Sequence, residues 1–341
     1  MSSELGDKAW FEATGFGFIC RQFTRPKPIL PNVLLTDQVA IITGSNVGLG
    51  LAASRQLLKL ELSHLVIGVR SQVKGDEAAI QLRKEFPASL ISVWTMDLES
   101  YDSIRAFADR CATLPRIDIV ILNAGLSKTY YSTCPATDHE VTLQVNYLST
   151  ALLAILFLPI LKAKKAVGAI NPPVVTIVGS DLAYQTDIHT KGPVLQQFNN
   201  PEAFSQFPWY SKSKLLLTLF VSKLAEFVSP DEVLINMANP GMTRGTEFFR
   251  EFSNFSMWLV GLAQLLFARS VDVAATTYVD AAVAQGKGSH GSFLSDWKIK
   301  PYPKVWYTPE GREVRERLWE ETMEELNFAG ASKIVTSLKP T

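Results

Sequence analysis

From Asp37 onward, short apolar runs alternate with stretches of helical periodicity, and this alternation constrains the fold more than any other feature of the chain. Gln38 to Thr43 (QVAIIT), His64 to Val69 (HLVIGV), Leu90 to Met96 (LISVWTM), Ile117 to Leu122 (IDIVIL), Val174 to Val178 (VVTIV) and Val233 to Met237 (VLINM) read as strands. Helical periodicity marks Leu49 to Leu60, Gly75 to Phe86, Tyr101 to Ala112, a long segment around Glu140 to Leu161, and about Tyr210 to Phe227. A strand that is apolar at every position must be covered on both faces, which helices do when they follow each strand. The expected fold class is therefore α/β: a doubly wound, mostly parallel sheet in one domain over 37–300.

Residues 1–36 read as an N-terminal extension. Arg25-Pro26-Lys27-Pro28-Ile29-Leu30-Pro31 carries three prolines, each of which removes a backbone donor and fixes φ, so it forms neither helix nor central strand. Trp10, Phe11, Phe16, Phe18 and Ile19 ahead of it are expected to pack on the main body, with a membrane or partner contact as the alternative. Gly15-Phe16-Gly17 has no strand before it and no third glycine in register, so it is not read as a phosphate loop. Residues 301–341 form a C-terminal segment. Pro301-Tyr302-Pro303 breaks structure, and Glu310 to Leu326 reads as an amphipathic, charge-rich terminal helix packed on the body.

Several function classes are disfavoured. Hydrophobic residues at 47% and charged residues at 19% do not describe a disordered chain. Thirty-three basic residues balance thirty-three acidic ones, which argues against nucleic-acid binding. Cys20, Cys111 and Cys134 are too few and too scattered for a disulfide framework, and His64, His139, His189 and His290 lack metal-ligand spacing, so no metal is expected. Met1 to Lys8 does not read as a secretory signal. Tyr147 to Ala163 and Met257 to Ala268 are apolar but shorter than the ~20 residues of a membrane span, so both are read as buried helices. The expected location is cytoplasmic, with peripheral membrane contact by the second segment left open.

The chemistry begins where the first strand ends. Thr43-Gly44-Ser45-Asn46-Val47-Gly48-Leu49-Gly50 places glycines at G-x-x-x-G-x-G between a strand and a helix. Glycine permits positive φ and close approach of backbone to a pyrophosphate, and the following helix N-terminus offers unpaired N–H groups to it. This is the dinucleotide loop of a Rossmann fold, with Gly44, Asn46, Gly48, Leu49 and Gly50 at the cofactor. The second strand ends Val69-Arg70-Ser71, without the carboxylate that would bind a ribose 2′-hydroxyl. Arg70 can instead clamp a 2′-phosphate, so NADP (as NADPH) is expected in preference to NAD.

Taken in order, the motifs resemble those of the short-chain dehydrogenase/reductase family. The glycine loop is similar to its TGxxxGxG. Asp97-Leu98 resembles its adenine-contacting pair, and Leu122-Asn123-Ala124-Gly125 its NAG motif beside the cofactor. Asn146 in Val145-Asn146-Tyr147 resembles the asparagine of its long helix. Gly179-Ser180 is similar to its catalytic-serine strand end, Tyr210-Ser211-Lys212-Ser213-Lys214 to its YxxxK, and Asn239-Pro240-Gly241-Met242-Thr243 to its PG motif near the nicotinamide. Ser180 and Tyr210 are 30 residues apart (210 − 180), longer than is usual in the family. Such gaps resemble its retinol-dehydrogenase-like and WW-domain-oxidoreductase-like branches. The loop, the proline-bearing extension and the chain length are also similar to fungal secondary-metabolite enzymes of the family.

The resemblance implies hydride transfer between nicotinamide and a secondary alcohol or ketone. Tyr210 would be the acid/base, and Lys214, one helical turn on, would lower its pKa and bind the ribose. Ser180 would polarise the carbonyl, and Asn146 would hold a proton-relay water. Asn123, Pro240, Gly241 and Thr243 would contact the cofactor with Tyr210 and Lys214. The inserted stretch Asp181 to Trp209 is expected to form part of the substrate wall. Residues about 243–270, with Phe248, Phe249, Phe252, Phe255, Trp258 and Leu259, would form a greasy substrate lid, so the expected partner is a bulky lipophilic small molecule. Homodimerisation is common in the family, although the extension could block it. The alternative reading is an enzyme of this fold recruited to redox-neutral isomerisation or cyclisation.

Overall fold

Eight strands form one sheet in the order β3-β2-β1-β4-β5-β6-β7-β8. They are β1 Val39–Thr43, β2 His64–Val69, β3 Leu90–Thr95, β4 Ile119–Leu122, β5 Val174–Val178, β6 Leu234–Asn239, β7 Phe293–Ser295 and β8 Lys298–Lys300. All neighbours pair in parallel except β7 and β8, which form an antiparallel hairpin at one edge. The computed structural model describes residues 1–28, 33–166, 171–245 and 267–339.

The register explains why the strands read apolar throughout. Ile41 of β1 pairs with Val66 of β2 and Val120 of β4, and these three join the core on one face. Ala40 and Ile42, pointing the other way, join Leu65, Ile67, Ile119 and Ile121 in the core on the opposite face. Each such fully buried aliphatic side chain contributes about 1.5–3 kcal/mol. The chain runs outward through β1, β2 and β3, then crosses back to β4 on the other side of β1. In an open α/β sheet that reversal opens a crevice at the C-terminal strand ends, where ligands bind.

The Val141–Lys164 helical run is long and apolar enough to cross a membrane, but 94% of its most apolar stretch is buried inside the domain. It is a core helix, as read for Tyr147 to Ala163. Its Gln144–Leu148 turn is π-helical. Apart from Phe267 and Ala268, the second apolar segment, Met257 to Ala268, lies outside the described residues, as do Phe248, Phe249, Phe252, Phe255, Trp258 and Leu259 of the expected lid.

Three regions differ from the sequence reading. The β7–β8 hairpin was not legible: its strands have three residues each, and its turn holds Asp296 at φ 45 and Trp297 at φ 60, conformations usually signalled by glycine or asparagine. The Trp297 indole Nε1–H donates to Thr276 Oγ1 at 2.9 Å, which helps to fix this turn.

The inserted stretch after Ser180 is divided: Asp181, Leu182 and Phe207 line the cavity at the strand ends, in keeping with part of a wall, while its middle packs elsewhere. The Val194 and Leu195 amides donate to the Glu321 carboxylate on the terminal helix, Pro309–Glu325. That helix docks with Trp319 stacked on Phe227, ring centroids 4.8 Å apart.

The extension is ordered through Gln22 but turned over. Ala9–Glu12 forms one helical turn, and Gly15–Gln22 a helix capped by Thr14 Oγ1, which accepts from the Gly17 amide at 2.9 Å. Of the apolar side chains expected to pack inward, Trp10 is 69% and Phe16 67% exposed, and Phe11 and Ile19 also face solvent. Glu12, Arg21 and Gln22 are buried in their place.

Candidate active site

The C-terminal ends of β1, β4, β5 and β6 converge on a cavity of roughly 300 Å³ whose wall includes Leu49, Asn123, Ser180, Tyr210, Lys214 and Pro240. At its cofactor end the backbone closes on itself. Gly44 has φ +64, and a Cβ there would sit 2.9 Å from Ala124 Cα; a Cβ on Gly50 would sit 2.5 Å from the Gly44 carbonyl oxygen. Only glycine fits this cradle. The Asn123 amide Nδ2 donates to the Thr43 and Gly44 carbonyls at 2.9 and 3.1 Å, and Thr43 Oγ1 accepts from the Asn123 backbone N–H at 3.0 Å. Asn123 therefore clamps β1 to β4 and holds the loop in shape. The Gly48–Lys59 helix starts here with no side-chain cap, which leaves its first amides to an anion. Asn46 lies half-buried in the loop and Gly48 takes φ +58. The glycine cradle and the uncapped helix fit a dinucleotide pyrophosphate.

The other end is built by β5 and the Gln206–Leu224 helix. Ser180 leaves β5 and caps the following turn, its Oγ accepting from the Leu182 amide at 3.3 Å. The Tyr210 side chain lines the same cavity as Ser180, close enough for the serine to favour the phenolate. Lys214, four residues on, donates from Nζ to the Val178 carbonyl at 2.9 Å, with its ammonium 5.8 Å from the Tyr210 ring centre. Burial pushes the Tyr210 phenol up to about 12, and the neighbouring Ser180 side chain pulls against it. Burial also pushes Lys214 down to about 8. The lowering of Tyr210 expected from Lys214 is not seen here: Ser180 alone opposes the desolvation of the phenol. At neutral pH the phenol is a proton donor in this state.

A profile of the short chain dehydrogenase family matches residues 38–177. The short chain dehydrogenase virL of Hypocrea virens is 66% identical over 339 residues, covering 99% of each chain. The chain belongs to the short-chain dehydrogenase/reductase family. The short chain dehydrogenase/reductase mfmJ of Annulohypoxylon moriforme is 45% identical over 326 residues, 94% of each chain. Among solved structures, the NADPH-dependent 3-quinuclidinone reductase of Rhodotorula rubra superposes with a TM-score of 0.59 at 21% identity, covering 80% of this chain and 96% of its own. L-sorbose reductase of Gluconobacter frateurii, solved with NADPH and L-sorbose, gives 0.57 at 22%, covering 78% and 97%. At these identities the superpositions speak to the fold.

The other residues singled out by the family's motifs are placed as follows. Asn146 lies in the π-helical turn, fully buried. Its Nδ2 donates to the Leu126 carbonyl at 2.8 Å and to Ser213 Oγ at 3.1 Å, and its Oδ1 accepts from the Leu126 amide at 2.9 Å. The side chain is therefore engaged in holding the Leu126 loop against the Tyr210 helix. Asp97 and Leu98 follow β3, away from the cavity wall, with Asp97 Oδ1 accepting from the Glu99 amide at 3.0 Å. Arg70 is 69% exposed and ion-paired with Glu99 at 3.2 Å. Exposed pairs of this kind are worth about 0–1 kcal/mol, so the arginine is readily released to another anion. After β6, Asn239 Oδ1 accepts from the Gly241 amide at 3.2 Å, and Thr243 Oγ1 donates to the Gly241 carbonyl at 3.1 Å, which shapes the PG loop.

One part of this site had no motif to announce it. Asp181, directly after Ser180, is buried and lies beside Arg21 of the extension, Nε to Oδ1 3.1 Å, off the hydrogen-bond axis and so an ion pair rather than an aligned bond. Burial pushes the Asp181 carboxyl up, and Arg21 and the Asn239 amide pull it back. Arg21 also pairs with Glu12, which pairs with Lys300, which pairs with Asp296. Arg269 closes the cluster by donating to the Pro240 carbonyl at 3.1 Å and to the Arg21 carbonyl. Three cations meet three anions. Nothing in the local sequence marks Arg21, because apart from Glu12 the charges around it lie 160 residues away (181 − 21) and beyond.

Proposed function

We propose that this chain is an NADP-dependent oxidoreductase that interconverts a ketone and a secondary alcohol on a bulky, lipophilic substrate of fungal secondary metabolism. The observation that carries this reading is that Ser180, Tyr210 and Lys214, the last one helical turn after the tyrosine, line one largely apolar cavity next to a glycine cradle. When bound, the nicotinamide supplies the hydride for ketone reduction or accepts it in reverse. The residues of the chain do the rest. The Ser180 hydroxyl and the Tyr210 phenol line the same cavity, where a carbonyl oxygen would receive two donors. Tyr210, protonated at neutral pH, hands its proton to that oxygen. Lys214 would bind the ribose hydroxyls and replenish the phenol. Arg70, once released from Glu99, would hold a 2′-phosphate, together with the amides of the following helix, whose Ser71 cap accepts from the Lys74 amide.

The test is NADPH consumption by the purified protein with a panel of lipophilic ketones (α-tetralone, β-ionone, menadione), followed at the nicotinamide absorbance. The expected result is turnover of at least one ketone that Tyr210→Phe abolishes while NADPH still binds. NADPH-independent product formation that Tyr210→Phe leaves intact would overturn this reading in favour of redox-neutral chemistry.

A further inference from the structure

We infer that Arg21 of the N-terminal extension is a positioning residue of the active site, holding the Ser180 loop through Asp181 while its neighbour Gln22 braces the PG loop. The inference rests on the reading of Ser180 proposed above.

The extension helix presents Phe18, Arg21 and Gln22 inward, at i, i+3 and i+4, a single helical face. Each touches a different wall of the same cavity. Phe18 lines it directly. Arg21 pairs with Asp181, the residue that follows the serine. Gln22 packs on Gly241, where a Cβ would lie 2.9 Å from the Gln22 amide nitrogen. The two loops are in turn joined to each other by Asn239: its Oδ1 accepts from the Asp181 and Gly241 amides at 3.0 and 3.2 Å, and its Nδ2 donates to Asp181 Oδ1 at 2.6 Å. Displacing the Asp181 carboxylate would pull on the backbone that sets Ser180 Oγ and, through Asn239, on the PG loop.

Both Arg21 and Asp181 are essentially withdrawn from water, at 2% and 5% exposure. Charges so placed hold their geometry tightly, because neither can find solvent if the other moves. The extension therefore does more than cover the domain. It sets the donor on one side of the carbonyl site, and a donor misplaced by about 1 Å costs on the order of a hundredfold in rate.

The experiment compares wild type, Arg21→Lys, Arg21→Met and Arg21→Met/Asp181→Asn as full-length proteins, the last keeping the site free of an unpaired buried charge should Arg21→Met fail to fold. Two readouts are taken: kcat with the panel ketone consumed fastest and NADPH, and amide hydrogen exchange over 179–184 and 239–243. The expected result is that Arg21→Met and the double variant lose about tenfold to a hundredfold in kcat with the NADPH Kd unchanged, and that Arg21→Lys recovers part of the loss. Exchange in both loops should rise while the central strands stay protected. Wild-type kcat in the folded double variant, or unchanged exchange in the two loops, would overturn the inference. A wild type that consumes no NADPH would overturn the functional reading instead, and the exchange data would still decide whether Arg21 holds the loops.

Discussion

The cavity has two kinds of wall, built by opposite rules. The cofactor wall, Gly44 to Gly50 with Asn123, is held by contacts between backbone and short polar side chains at the ends of adjacent strands. The extension wall, Phe18 with Arg21 and Gln22, is held by long-range ion pairs from a helix whose aromatic side faces water. The first follows from the sheet order, since any chain with β1 beside β4 brings these loops together. The second depends on what lies underneath. A helix ordinarily buries its apolar stripe, but this one docks where a carboxylate and the PG loop need polar partners, and there the ionic face is the complementary one. The terminal helix Pro309–Glu325 is the conventional counterpart, with Val314, Leu318 and Met323 inward and charge outward. The orientation of a helix is thus decided by the chemistry of its landing site as much as by its own periodicity.

Substitutions that break one wall and spare the other sharpen this contrast. The largest effect is expected at the shared centre: Tyr210→Phe should lower kcat by about 10²–10⁴-fold, as loss of a positioned acid does, with the NADPH Kd retained by fluorescence titration. On the extension wall, Arg21→Met leaves Glu12 and Asp181 short of a buried cation and should cost about 3–5 kcal/mol in denaturant unfolding, most of it recovered in Arg21→Met/Asp181→Asn. On the cofactor wall, Gly50→Ala forces a Cβ against the Gly44 carbonyl, and overpacking of this kind should weaken NADPH binding by about 1–3 kcal/mol without moving the extension.

The pH dependence tests the centre again. Lys214 gives up its proton near pH 8 in the folded protein and at its ordinary, higher value when unfolded. The unfolded chain therefore binds the extra proton between those two values, and stability should rise with pH across that window. Over the same range kcat/KM for ketone reduction should fall as the ammonium is lost, while Tyr210, held up to about 12, stays protonated. A flat kcat/KM profile from pH 7 to pH 10 would remove Lys214 from the proton path. The smallest effect is expected outside both walls: Phe16→Ser, at a 67% exposed position, should change stability by no more than about 0.5 kcal/mol, and a larger loss would show that the aromatic face is covered.

The same contrast explains what could be read from the sequence. Runs such as Val39–Thr43 and Val174–Val178 are apolar at every position, and that signal is local, so the central strands and their order of use were legible. The glycine loop sits at a strand end, and short-range spacing carries it too, whereas Ser180, Tyr210 and Lys214 were reached only through their resemblance to the family's motifs. The β7–β8 hairpin escaped because three residues per strand give no period, and because its turn uses Asp296 and Trp297 at positive φ. Arg70 read as a free phosphate clamp because Glu99, which it meets at 3.2 Å, lies on the next βα turn. The inversion of the extension escaped for a similar reason: Arg21 looks like any surface arginine until Asp181, Arg269 and the Glu12–Lys300 pair are in place around it.

Ser2 is fully buried, its amide donating to Ser292 Oγ at 3.2 Å and its hydroxyl accepting from the Phe293 amide at 2.9 Å. Ser2 thus finds its partners nearly three hundred residues further along the chain. Contacts of such sequence separation form late, because the intervening loop must close first. The sheet can assemble outward from β1 before the extension docks, and the extension gains its anchor at Ser2 only once the β7–β8 edge is in place.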